Sequence, residues 1–144
     1  HIVNMFLDFK ILKQNIDIKL VSEKVYFVNS DIEQLNRVFI NLFKNSIESL
    51  KEKHEKVGNF QKKINVEIQL INEYINIIVQ DNGTGFTNSD LRILSKPYFT
   101  TKKEGSGLGL SIVEKILNDH NGFIEFIPQK EGAKIKILLP KYVN

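Results

Sequence analysis

The sequence predicts an α+β fold, a two-layer α/β sandwich with a mixed, mostly antiparallel sheet packed on about three helices. Three observations predict it. Two β-rich runs, residues 64–71 and 74–80, follow one another across Asn72-Glu73, which suits a hairpin turn. Two more, 123–127 and 133–139, close the chain. Between these pairs stand strongly periodic helical segments, in an order that is not the strict βαβ alternation of a doubly wound sheet. At 144 residues the chain is long enough for one domain with one core.

The elements follow in order. Ile2, Met5, Phe6 and Phe9 have helical spacing but no N-terminal cap, so residues 1–14 are expected to be the end of an upstream helix with its linker. Ile16, Ile18 and Leu20 alternate with polar residues, as in a half-buried strand. Residues 25–28 suggest a second short strand. Asp31 offers an N-cap to a long helix running to about His54, with Leu35, Val38, Phe39, Leu42 and Leu50 on its buried stripe. A polar loop with Gly58 precedes the two β-rich runs. Residues 81–85 form a turn, and 86–107 a long irregular loop with about one helical turn near 90–95. Loops of that length inside a compact domain are often functional lids. A second helix is expected over 109–119, with Leu110, Val113, Ile116 and Leu117 inward and Asn121-Gly122 ending it.

Composition removes several function classes. There is no cysteine, hence no disulfide framework, thiol nucleophile or Cys-based zinc site, which fits a reducing cytoplasm. No apolar run approaches the roughly 18 residues of a membrane span. The net charge is +3, and the lysines of 51–56 and 62–63 read as a solvated surface. No pattern of a nucleic-acid-binding motif accompanies them. The abundance of Lys, Ile and Asn is compatible with an AT-rich genome.

Four stretches carry chemistry. On the long helix, Asn41, Asn45 and Glu48 fall within an arc of about 60° at the edge of the apolar stripe. An Asn carbonyl there can serve Mg²⁺, which prefers oxygen ligands and keeps several waters. Asp81-Asn82-Gly83-Thr84-Gly85 follows an apolar strand, and a sheltered carboxylate at that strand end can accept a strong hydrogen bond from an adenine amino group. Its glycines let backbone pass close to a flat base. In the long loop, Pro97-Tyr98-Phe99-Thr100-Thr101-Lys102 pairs an aromatic anchor with donors for an anion. Gly105-Ser106-Gly107-Leu108-Gly109-Leu110 opens a helix, whose free N–H groups suit phosphate. It is neither a Walker P-loop nor a dinucleotide fingerprint.

In this order the four stretches resemble the N, G1, F and G2 boxes of the GHKL (Bergerat-fold) ATPases, a superfamily of gyrase, Hsp90, MutL and histidine kinases. The resemblance covers about residues 16–140. It is strongest to the catalytic domain of bacterial sensor histidine kinases, and the wording of 97–122 is similar to the nitrogen-regulation (NtrY-like) subgroup. The resemblance implies an ATP-binding domain over 15–144 with an ATP lid at about 86–106. Asn45 is then the Mg²⁺ ligand and Asn41 supports phosphates or metal. Asp81 binds the adenine amino group, with Gly83 and Gly85 shaping the pocket. Phe99 anchors the lid, Thr101 and Lys102 face phosphate, and Gly105, Ser106, Gly107, Leu108 and Gly109 border the triphosphate. Ser46 and Ser49 stand where Ala is common, a change expected to be tolerated. Ala133-Lys134 follows Gly132 where Thr is frequent near the adenine, which is expected to cost a hydrogen bond.

One position separates subclasses. GHKL hydrolases carry a Glu one helical turn before the metal-binding Asn, where it can act as a general base. Here that residue is Asn41, which cannot take a proton at neutral pH. The expected function is therefore γ-phosphate transfer to a His, and hence to a response regulator. His1, His54 and His120 lack the phosphoacceptor context and are assigned structural or surface roles. The acceptor is expected on a separate dimerisation domain, with this fragment monomeric, the full protein a homodimer, and the location cytoplasmic, free or below a membrane anchor. A GHKL ATPase or serine kinase of the anti-sigma type, and a non-catalytic nucleotide-binding module, remain as alternatives. No nucleic-acid partner is expected.

Overall fold

The structure, a computed structural model, describes residues 15–86 and 109–143. Its elements are β1 (Ile16–Ser22), α1 (Ile32–Val57), β2 (Lys62–Ile71), β3 (Tyr74–Asp81), α2 (Gly109–Asp119), β4 (Phe123–Ile127) and β5 (Ala133–Pro140). The five strands form one sheet in the order β1-β2-β3-β5-β4. β1 and β2 are parallel, and every other pair is antiparallel. Antiparallel neighbours need only a short turn, whereas the parallel pair needs a crossover, which α1 supplies. The α+β sandwich and its mixed sheet are as expected, with two helices among the described residues. The helical pattern of 1–13 lies outside them.

α1 starts where its cap allows. The Asp31 carboxylate accepts from the N–H groups of Glu33 (2.9 Å) and Gln34 (3.1 Å), a contact worth about 1 kcal/mol. The helix runs one turn beyond the expected end at His54. It stops at Gly58, whose N–H reaches the His54 carbonyl at 2.9 Å. The β2–β3 hairpin turns on Asn72 at φ 55°, a left-handed value that Asn tolerates, and Ile71 stands opposite Tyr74.

Strand alternation sorts the two faces of the sheet. Ile64, Val66 and Ile68 of β2, Ile75, Ile77 and Val79 of β3, and Ile135, Ile137 and Leu139 of β5 are buried with Leu35, Val38, Phe39, Leu42, Phe43 and Leu50 of α1 and Val113, Ile116 and Leu117 of α2. The other face carries Lys63, Asn65, Glu67, Gln80 and Lys134, with Glu125 of β4 beside Lys136 of β5. Among the described residues the helices cover one face of the sheet, which accounts for this alternation.

Residues 25–28 are not a strand. They run between β1 and α1 without a ladder partner, and the Phe27 carbonyl accepts from the Tyr142 N–H at 2.9 Å. Their alternation is real: Tyr26 and Val28 pack on the core while Val25 (78%) and Phe27 (70%) are exposed. Alternation sorts side chains, but a strand also requires a neighbouring backbone in register.

His120 joins the two helices. Its Nε2 accepts from the Asp31 N–H at 3.0 Å, and its Nδ1 donates to the Ile116 carbonyl at 2.7 Å. Both bonds form when the neutral ring carries its proton on Nδ1. This bears out the structural role expected of it. His120→Ala is expected to cost about 1–2 kcal/mol in urea unfolding, the net worth of two hydrogen bonds. An unchanged midpoint would show that the ring contributes nothing.

Candidate nucleotide site

The site begins with the alternation of β3. Ile75, Ile77 and Val79 point into the core, so the next residue in phase, Asp81, carries its carboxylate to the same helix-covered face. It is 5% exposed. Burial pushes its pKa up, against hydrogen bonds from the Gly83 N–H, the Ser46 hydroxyl, the Ala133 N–H and the Ser49 hydroxyl. The Gly83 N–H lies 2.9 Å from Oδ1. Ala133 thus keeps a backbone donor on this carboxylate, although its side chain has none.

α1 lines the site from the other layer. Ser46 (5% exposed) and Ser49 (7%) interrupt its apolar stripe over Asp81. Gly83 passes directly beneath Ser49. A Cβ added there would stand 2.3 Å from the Ser49 Oγ and 2.6 Å from its carbonyl carbon. The Thr84 N–H also donates to the Ser49 carbonyl at 3.3 Å. Only glycine allows helix and turn to approach so closely.

Asn82 fixes the turn from outside. Its Oδ1 accepts from the Lys63 N–H at 2.8 Å, and its Nδ2 donates to the Gln61 carbonyl at 2.7 Å. Lys53 donates to the Asn82 carbonyl at 2.8 Å, pairs with Glu131, and stands 4.6 Å from the centre of the Phe60 ring. The sequence reading missed this brace because its members are scattered along the chain.

Asn41, Asn45 and Glu48 are half-buried at the helix edge, as their 60° arc requires. Gly109 begins α2, and a Cβ on it would lie 3.8 Å from the Asn41 Oδ1. One helix therefore touches both remaining parts of the site: Ser46 and Ser49 meet the Asp81 turn, and Asn41 meets the start of α2. Eight residues of helix place Asn41 and Ser49 about 12 Å apart. Phe99, Thr101, Lys102, Gly105, Ser106, Gly107 and Leu108 lie outside the described residues, as does the segment after Phe86 expected to form a lid. Phe86 itself packs edge-on against Phe126 of β4, with centroids 5.6 Å apart.

Among the described residues no three His, Cys, Asp or Glu side chains gather as a metal cage, and no helix is long and apolar enough to cross a membrane. The amide oxygens of Asn41 and Asn45 are hard donors, too few to hold an ion alone. They fit Mg²⁺, which is commonly shared between a few protein oxygens, substrate phosphates and water.

Comparison with known proteins agrees with this geometry. Residues 30–143 match the family described as histidine kinase-, DNA gyrase B-, and HSP90-like ATPase. The chain is 37% identical over 105 residues to an NtrY-like sensor histidine kinase of Rickettsia bellii, covering 73% of this chain and 16% of the relative. It is 34% identical over 121 residues to the sensory histidine kinase/phosphatase NtrB of Rhizobium leguminosarum, covering 78% and 32%. The chain therefore spans a third or less of these relatives. The nucleotide-free catalytic domain of histidine kinase ThkA superposes with a TM-score of 0.78 at 29% identity, over 96% of this chain and 88% of that one. The chain belongs to the histidine kinase-, DNA gyrase B- and HSP90-like ATPase family, and within it resembles the catalytic domains of sensor histidine kinases.

Proposed function

We propose that this chain is the ATP-binding catalytic domain of a two-component sensor histidine kinase, located in the cytoplasm. The observation that carries the reading is the single face of α1 that touches Asp81 and Gly83 through Ser49 and faces Gly109 through Asn41. An adenine whose amino group donates to Asp81 would leave its phosphates toward Asn45, Asn41 and the N–H groups at the start of α2. Gly83 and Gly85 shape the base pocket. Gly105, Ser106, Gly107, Leu108 and Gly109 border the triphosphate, with Thr101 and Lys102 as phosphate donors and Phe99 anchoring the lid of 86–106. Asn45 would hold Mg²⁺, which when bound would supply charge neutralisation for phosphoryl transfer.

The chain's own residues then bind, orient and hold back water. An amide at Asn41 leaves that position on α1 without a base to activate water, so ATP is kept for another nucleophile. That nucleophile is a His on a dimerisation domain of the same protein. Its ring nitrogen attacks the γ-phosphorus, the bond to the β–γ bridging oxygen breaks, and ADP leaves. The phosphoryl group passes on to an Asp of a response regulator. The parent protein acts as a homodimer through helices outside this chain, and the chain alone is a monomer.

The test uses labelled ATP with an added dimerisation-helix segment that carries the acceptor His. Transfer of label to that segment is expected, with no labelling of the chain itself. Asn45→Ala is expected to lower transfer at least tenfold while leaving unfolding unchanged. Rapid sustained ATP hydrolysis by the wild-type chain alone would falsify the reading.

A further inference from the structure

We infer that Ser46 and Ser49 are positioning residues that hold the Asp81 carboxylate as an ionised acceptor, and so set which purine the pocket takes and over what pH range. The inference rests on the proposed binding of adenine at Asp81.

Both hydroxyls are buried on the apolar stripe of α1, where an aliphatic side chain would complete the core. Buried hydroxyls are retained without penalty only when they find partners. Ser49 is a junction. Its Oγ accepts from the Gly85 N–H at 3.3 Å and lies 3.5 Å from the Asp81 Oδ1 and 3.3 Å from the Thr84 Oγ1. The Thr84 hydroxyl in turn donates to Glu52 at 3.3 Å. The two hydroxyls thus lie side by side between the buried carboxylate and a second carboxylate at the helix edge, each with one proton to donate. With the Thr84 proton on Glu52 and the Gly85 N–H on Ser49, the Ser49 proton is left for Asp81. Ser46, one turn earlier, is a further donor to the same carboxylate.

No other charge performs this task among the described residues near Asp81. On α1, Glu48 and Glu52 are acidic, and Lys53 is engaged by Glu131 and the Asn82 carbonyl. Lys63 of β2 and Lys134 of β5 belong to the opposite face of the sheet. Against the burial that raises the carboxylate's pKa stand neutral donors alone, namely two backbone N–H groups and two serine hydroxyls. Removing hydroxyls favours the protonated acid, which presents a donor where adenine's amino group also presents one. It would instead accommodate a 6-oxo purine.

The experiment compares wild type, Ser46→Ala, Ser49→Ala and the double variant. Affinities for ATP and for inosine triphosphate are measured from pH 4.5 to 8, with thermal melting of the nucleotide-free chain beside them. The double variant is expected to lose about tenfold in preference for ATP over inosine triphosphate. The pH below which its ATP affinity declines should move upward, with intermediate shifts in the single variants. Variants that melt lower but keep the wild-type preference and pH profile would reduce the serines to packing and overturn the inference. A wild-type chain that binds neither nucleotide overturns the adenine site itself, a different failure.

Discussion

Gly132→Ala is expected to lower stability by about 2–5 kcal/mol, a large share of the roughly 5–15 kcal/mol that holds a domain together. Gly132 sits at φ 75°, where an L side chain costs about 1–2 kcal/mol. A Cβ there would also lie 1.9 Å from the Asp81 carbonyl oxygen, 2.8 Å from its carbon and 2.9 Å from the Asn82 Cα. All three are backbone atoms of the turn that Asn82 and Lys53 brace, so none can swing aside. Forcing them apart adds an overpacking cost of about 1–3 kcal/mol. It also displaces Gly85, which lies against the Gly132 carbonyl. Gly58→Ala separates the two contributions. Gly58 has a similar φ, 80°, with ψ at −152°, a region essentially reserved for glycine, but a Cβ there meets nothing within 4 Å. It should cost only the conformational part, about 1–3 kcal/mol. Urea unfolding of both variants reads the difference. Equal losses would mean that the turn yields without resistance.

The contrast between these glycines marks where the sequence was legible. Local features were readable: the Asp31 cap, the apolar stripe of α1, the alternation of β2 and β3, and the Asn72 turn each depend on neighbours within a few residues. The phase of β3 even placed Asp81 on the core side. What depends on distant partners was not readable. The parallel pairing of β1 with β2 spans the whole of α1, and residues 25–28 have strand alternation without a strand beside them. Gly132 gains its importance from Asp81 and Asn82, far away in sequence. Ser46 and Ser49 passed as tolerable small replacements, although hydroxyls at two buried-phase positions, one turn apart, were themselves a signal. Asn82, Lys53 and Glu131 carried no sequence signal of joining in one brace.

Asp81→Asn is expected to weaken ATP binding on the order of 100-fold while leaving the fold intact. A hydrogen bond to a charged acceptor is worth about 1.5–3 kcal/mol, and each 1.4 kcal/mol is about tenfold in affinity. The amide does worse than lose the charge. The carboxylate accepts from the Gly83 and Ala133 N–H groups and from the two serines, and all its lone pairs are acceptors. An amide keeps one acceptor, and its NH₂ must point at a donor, either adenine's or the protein's. The pH dependence of stability gives an independent reading. Burial raises the Asp81 pKa above its ordinary 3.8, so the native state holds this proton more tightly than the unfolded chain. Its contribution favours folding fully below about pH 3.8 and is lost as pH rises through the native-state value. The buried charge is therefore a cost to the fold at neutral pH. Asp81→Asn removes that titration, so the stability of wild type relative to the variant should fall between pH 3.8 and the native-state pKa, then stay level. A carboxylate retained against its own burial cost is what a pocket needs if it must recognise an amino group. ATP affinity within threefold of wild type in the Asn variant would leave that cost without a function.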